Sequence, residues 1–550
     1  MRRDLEIMAD TKFDVLFVGG GVTGAAAVMD AAQRGLRAAL VEKKDFGWAT
    51  SSATSKLVHG GLRYLKNLEM GLVRESLRER RILERIAPHL VEPWPFLVPT
   101  YSSLKKNNLP MITAGMVLYE LLSFDKAWLE DPDRQVPSFR LLSKRRVLEE
   151  EPHVITEGLT GGAIYYDCHM HSPERVHLEM IMAAAAHGAQ VANYAEVVGL
   201  RKDGSRVIGA TVRDAHTGEE VDISAAVVVN VAGPWADFVS EMALGGEKKH
   251  LIRSQGIHLI FRNITEKYAL VLQTLSRRHF FLIPYRGMTL AGTTDTRFSG
   301  NPDQYSVTRE AAEEFLREIN EVYPSAHLTM DDVTWTYGGL RPIVDEETDV
   351  DVDVYKASRK YEIYDHADED KVDGFVTVIG GKYTTSRNLA ETLTNLVERK
   401  LGREPGTCHT AWTPLPGGAI RRWHEFMAEG RRRYPKLGEE MLQRLSLVYG
   451  TMREEVIGRM NENGLGAVVD SRHPLPAAVI VQAAEREMAM TLEDILWRRT
   501  TLGNTGQLSE EAVTTAGKIA GAVLGWSKSR EKKEVQAALE KIAAKNMVAN

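Results

Sequence analysis

Cysteine is nearly missing from this chain: Cys168 and Cys408 are the only two in 550 residues. They form no CxxC pair and fall short of the four thiolates that an iron-sulfur cluster takes, so an internal cluster is excluded and a reducing compartment is expected. Long apolar runs are missing too. No stretch of about 18 apolar residues occurs, and Met1-Arg2-Arg3-Asp4-Leu5-Glu6 is charged where a secretory signal would be apolar. The expectation is a cytoplasmic chain that neither spans a membrane nor is exported. A charge excess is small as well, since 69 Lys and Arg against 75 Asp and Glu leave a net charge of −6. That excludes the broad basic field of a nucleic-acid binder, and a small anionic substrate would need local cations. No metal-ligand pattern is read, and no metal is expected.

What is present is ordinary globular composition, 43% hydrophobic and 26% charged, over a length that suggests two to three domains. Phe13-Asp14-Val15-Leu16-Phe17-Val18 reads as a buried strand that runs into Gly19-Gly20-Gly21-Val22-Thr23-Gly24 and then an alanine-rich helix. A second apolar run, residues 38–41, ends in Glu42, where a dinucleotide fold carries its ribose-binding acid. Gly19 permits the tight turn, Gly21 lets amides approach a pyrophosphate, and Gly24 allows close helix packing. The motif alone leaves FAD and NAD both open.

The next segment, Ala49-Thr50-Ser51-Ser52-Ala53-Thr54-Ser55-Lys56-Leu57-Val58-His59-Gly60-Gly61-Leu62-Arg63-Tyr64-Leu65, is crowded with small hydroxyl residues and glycines. By itself it reads as a polar loop before a helix. Together with Asp30-Ala31-Ala32-Gln33-Arg34-Gly35-Leu36 and Val41-Glu42-Lys43-Lys44-Asp45-Phe46, it resembles the signature of FAD-dependent glycerol-3-phosphate dehydrogenases. The resemblance runs from about residue 12 to 525 and is weakest over 100–160.

The resemblance implies an α/β fold, a two-lobed FAD-dependent oxidoreductase. It predicts a discontinuous Rossmann-like FAD domain over 12–110, 160–250 and 350–405, an antiparallel-sheet substrate domain over 251–349, and a C-terminal helical domain over 412–530. Cofactor contacts are expected at Gly19, Gly21, Gly24 and Glu42, and along Thr50, Ser51, Ser52, Ser55, Lys56, Leu57, Gly60 and Gly61. Val197 is expected at the adenine, with Ala232, Gly233, Gly381, Lys382 and Thr384 completing the set.

The implied reaction moves hydride from carbon 2 of sn-glycerol 3-phosphate to flavin, giving dihydroxyacetone phosphate. His258, in Arg253-Ser254-Gln255-Gly256-Ile257-His258-Leu259, is the candidate proton acceptor, because an imidazole can do this near neutral pH. Gln255 stands where the family usually has a lysine, which puts a phosphate-holding role there in doubt. Arg63, Arg341 and Lys382 join His258 as catalytic candidates, and Tyr64, Arg278 and Thr294 are further substrate contacts. Guanidinium suits a phosphate through paired donors and permanent charge.

For reoxidation a membrane quinone is favoured, with dioxygen or an iron-sulfur partner as the other acceptors. An amine or amino-acid oxidase, or a non-catalytic or RNA-modifying flavin protein, are the rival readings. The cluster Arg431-Arg432-Arg433-Tyr434-Pro435-Lys436 is the candidate for peripheral contact with the inner face of the membrane, each charge contributing on the order of 1 kcal/mol. A homodimer is one option for assembly.

Overall fold

The computed structural model describes residues 1–67, 69–102, 107–246, 251–344, 360–462 and 464–548, apart from the side chains of Arg63, Lys66 and Asn67. Expectations for Arg63, and for the strand beginning at Ser358-Arg359, therefore fall outside the described residues.

The first sheet is ordered Tyr361–Asp365, Phe375–Gly380, Glu220–Asn230, Lys12–Val18, Ala38–Val41, Gln190–Ala192. Its central pairs are parallel. Such strands are covered on both faces and read as unbroken apolar runs. Strand Lys12–Val18 is an example. Val15 and Phe17 pack with Ala25, Ala26 and Ala27 of helix Val22–Gln33 on one side, while Leu16 and Val18 pack with Met8 and Val239 on the other. The alanines of Val22–Gln33 let helices Pro173–Ala186 and Ser386–Lys400 lie close against it.

The second sheet has ten described strands, with Leu251–Arg262 held between Met288–Gly292 and Val333–Val344. Strands Leu57–Val58, Val91–Tyr101 and Leu159–Met170 also belong to it. The sequence reading counts most of those residues with the FAD segments. They instead extend the second sheet, because Val91–Tyr101 pairs with Ala269–Gln273 and so joins the two parts of the chain. Side-chain alternation along Leu251–Arg262 sets up the site. Ile257, Leu259 and Phe261 pack on Phe315 and Ile319 of helix Arg309–Val322, which turns Gly256 and His258 to the opposite face.

Beyond residue 422 the chain is mainly helical, from Trp423–Arg433 to Lys528–Ala543. It docks on the body through buried charge. Asp45 accepts from Arg498 Nε at 2.6 Å and from both terminal nitrogens of Arg499 at 2.7 Å. Arg175 pairs with Glu487 at 2.7 Å, and Trp335 stacks on Trp497 with ring centroids 5.5 Å apart. The two guanidinium groups hold the Asp45 carboxyl far below its ordinary range despite burial.

Candidate active site

A cavity of about 610 Å³ is lined by both sheets. One end is made of backbone. Gly19 has φ +120, and a Cβ there would come within 2.7 Å of the Val231 carbonyl oxygen. Gly21 caps helix Val22–Gln33 without any side chain of its own, and its neighbour Val22 donates its N–H to Ser51 Oγ at 2.8 Å. Gly24 lies beneath, where a Cβ would meet the Gly19 carbonyl at 2.0 Å. A helix N-terminus left open in this way suits a diphosphate.

Glu42 stands at the end of strand Ala38–Val41. One carboxylate oxygen accepts from Gly20 N at 2.7 Å, and the other accepts from Lys44 N at 3.0 Å and Trp48 Nε1 at 3.1 Å. Burial raises its pKa, and those donors oppose the rise. Val197, Ala232 and Gly233 line the same end, with Trp48 and Trp235 in tilted contact at 5.3 Å.

The hydroxyl-rich segment divides in two. Thr50, Ser51, Ser55 and Leu57 line the cavity, whereas Ser52 bonds the Gly47 carbonyl at 2.6 Å. Lys56 turns away entirely, its Nζ buried 2.8 Å from Glu174 Oε1. Gly60 is likewise not part of the lining: its N–H donates to Tyr119 Oη at 2.9 Å, and a Cβ would strike that oxygen at 2.4 Å. Gly61 and Tyr64 do line the cavity. Side chains of Ser52 and Lys56 thus brace the loop, and they are not available for cofactor contact.

The other end carries charge. His258, 1% exposed, pairs across the strands with Tyr337 and stacks on its ring at 4.7 Å. Its Nε2 lies 2.9 Å from Ser55 Oγ, and Nδ1 is buried without a hydrogen-bond partner among the described residues. Burial first, then the charges of Arg341 and Lys56, hold its pKa well below 6.5, so the ring is neutral at neutral pH. Arg341 reaches over Gly256, where a Cβ would lie 2.0 Å from Nη2. Its guanidinium donates to Thr293 Oγ1 at 2.8 Å and lies 3.6 Å from Asp295. Lys382 follows Gly380 and Gly381, donates to Ser76 Oγ at 2.6 Å, and sits 4.9 Å over the Tyr64 ring. Gly381 and Thr384 join it in the lining.

Two expected substrate contacts lie elsewhere. Arg278 pairs with Glu318 and donates to the Thr293 carbonyl at 2.6 Å, so it supports the wall from behind. Thr294 is turned inward and accepts from Ile257 N at 3.0 Å. Its neighbours Thr293 and Asp295, in the link between strands Met288–Gly292 and Thr296–Phe298, line the cavity instead. His279 and Asn107, 3.2 Å apart at the rim, carry no local signal and were missed.

An open helix N-terminus in a cradle of glycines that a Cβ would fill makes a dinucleotide site, and the buried neutral histidine at the far end gives that site the chemistry of an oxidoreductase. The model of the FAD dependent oxidoreductase family matches residues 14–387, and that of the C-terminal domain of alpha-glycerophosphate oxidase matches residues 408–531. The chain is 34% identical to a glycerol-3-phosphate dehydrogenase of Synechocystis over 97% of both chains. It is 32% identical to the aerobic glycerol-3-phosphate dehydrogenase of Bacillus subtilis, covering 90% of this chain and 88% of that one. A solved glycerol-3-phosphate dehydrogenase from Bacillus halodurans, complexed with FAD, superposes with TM-score 0.76 at 28% identity, over 98% of this chain and 96% of that one. This chain belongs to the family of FAD-dependent glycerol-3-phosphate dehydrogenases. Its cofactor is FAD, and the glycine-lined end fits the ADP portion while leaving the charged end for the flavin ring and a substrate.

Proposed function

We propose that this chain oxidises sn-glycerol 3-phosphate at carbon 2 to dihydroxyacetone phosphate and passes the electrons to a membrane quinone. The observation that carries this is the placement, on two adjacent strands of one cavity wall, of a neutral buried histidine and an arginine, His258 and Arg341. Its closest support outside the site is the run of relatives named for this substrate at 32 to 34% identity over most of the chain.

Bound FAD supplies the two-electron acceptor for the hydride. Arg341 holds the phosphate, with Thr293 fixing the direction of its fork. His258 receives the carbon 2 hydroxyl proton at Nε2, because Nδ1 is fully buried and Ser55 holds the ring from the cavity side. Lys382 adds positive charge that favours an electron-rich ring. Arg63 belongs to the same phosphate-binding reading.

The quinone reading draws on an exposed apolar face. Helix Leu109–Leu122 and the turn after it expose Met111, Val117, Leu121, Phe124 and Trp128, the last two 62% and 64% exposed, while Ile112 on the inner side of the helix lines the cavity. Such a patch fits a membrane surface, and a quinone would reach the cavity beside it. No described helix is long and apolar enough to cross a membrane, and the contact proposed is a peripheral one on the cytoplasmic side, made by this patch. The basic cluster is the weaker contact, since Arg431 pairs with Glu439 and Arg433 with Glu454. The match to an oxidase C-terminal domain supports dioxygen as the second reading.

Anaerobic addition of glycerol 3-phosphate should bleach the flavin absorbance, and a soluble quinone should restore it. An unbleached flavin contradicts the reaction, whereas peroxide formation at the same rate without quinone favours dioxygen.

A further inference from the structure

Three side chains of the second sheet, none of them lining the cavity, converge with no task in this reaction. Glu92 and His169 face each other across the antiparallel strands Val91–Tyr101 and Leu159–Met170, and opposed residues project from the same face. His171 lies two residues beyond His169 and returns to that face. Ligand-type atoms of Glu92, His169 and His171 all lie within 4.8 Å of one another. His171 Nε2 is 2.6 Å from Glu92 Oε1, and Arg134 holds the other Glu92 oxygen at 3.0 Å.

His169 is the unusual member. It is 4% exposed, and neither ring nitrogen has a hydrogen-bond partner among the described residues. Buried polar atoms are rarely left unmatched, because desolvation without a replacement bond costs about 1–3 kcal/mol. The rings of Trp94 and Tyr285 flank it at 5.6 and 6.1 Å. Glu92 and His171 are partly exposed, so the cluster opens to solvent on one side.

We propose that Glu92, His169 and His171 bind one divalent transition-metal ion, for which zinc is the probe. Two imidazoles and one carboxylate, with water as fourth ligand, is a recurrent zinc set, and the mixed nitrogen and oxygen donors disfavour the thiolate-seeking metals. The ion takes the lone pair of His169 that no protein donor meets. Ligands at about 2.1 Å in a tetrahedron are about 3.4 Å apart, so small rotations of the two partly exposed side chains close the site. Arg134 is the outer partner that sets the direction of the Glu92 carboxylate. Leu57 pairs with His169 and leads toward Gly60 and Gly61, so the ion fastens the strands beneath that loop.

The test uses the FAD-loaded protein, stripped with a chelator and dialysed against zinc. The wild type should retain about one zinc per chain, and His169→Ala and His171→Ala should each weaken binding by about 10-fold or more. Thermal unfolding should shift upward with zinc in the wild type alone. If His169→Ala fails to fold, His171→Ala with normal flavin content decides the matter. Undiminished zinc retention by His171→Ala, or no retention by the wild type, overturns the proposal.

Discussion

The two ends of the cavity are built from different materials. The glycine end uses backbone: its geometry depends on atoms that are missing, at Gly19, Gly21 and Gly24, and its buried carboxylate, Glu42, is spent on fixing two amides and the Trp48 indole. The far end uses side chains whose charge state matters, His258, Arg341 and Lys382, each steadied by a hydroxyl neighbour in Ser55, Thr293 or Ser76. Changes at the first end should therefore act on whether FAD is held, and changes at the second on turnover with FAD still in place.

The largest effect should come from Gly24→Val. Its Cβ would press on the Gly19 carbonyl at 2.0 Å, a backbone atom that cannot swing aside. The purified chain should carry no flavin absorbance, and a full flavin complement would break the comparison. Arg341→Ala should lower kcat/KM for glycerol 3-phosphate by about 10-fold or more, mostly through KM, with flavin content unchanged. Flavin loss in that variant would equally break the comparison. The smallest change is Ser55→Ala, which removes one hydrogen bond to His258. A bond of that kind contributes about 1 kcal/mol, or about 5-fold in rate. Because His258 is held neutral by burial, the acid limb of kcat/KM that it sets should fall well below pH 6.5 in the wild type. A limb at or above 6.5 would show that the ring is less desolvated than its burial implies.

The glycine end is legible because strand, loop, helix and acid all lie between residues 12 and 42 and each has a local signature. The far end draws on residues from 55 to 384, brought together by strand register that no local pattern encodes. His258, Arg341 and Lys382 are legible by resemblance, while Arg278 is drawn behind the wall by its ion pair with Glu318 and Thr294 turns inward to accept from Ile257 N. The sheet boundary failed for the same reason. Strand Val91–Tyr101 joins the second sheet by pairing with Ala269–Gln273, a contact across about 170 residues of chain, and brings its partner Leu159–Met170 with it. The cluster of Glu92 with His169 and His171 was invisible too, since only cross-strand pairing supplies its carboxylate.

The most direct measurement of the central claim is the anaerobic single-turnover rate of flavin bleaching by glycerol 3-phosphate, compared between the wild type and His258→Ala at equal flavin content. Loss of the proton acceptor should slow bleaching by about 10²-fold or more. A variant that bleaches at the wild-type rate would contradict the assignment of His258.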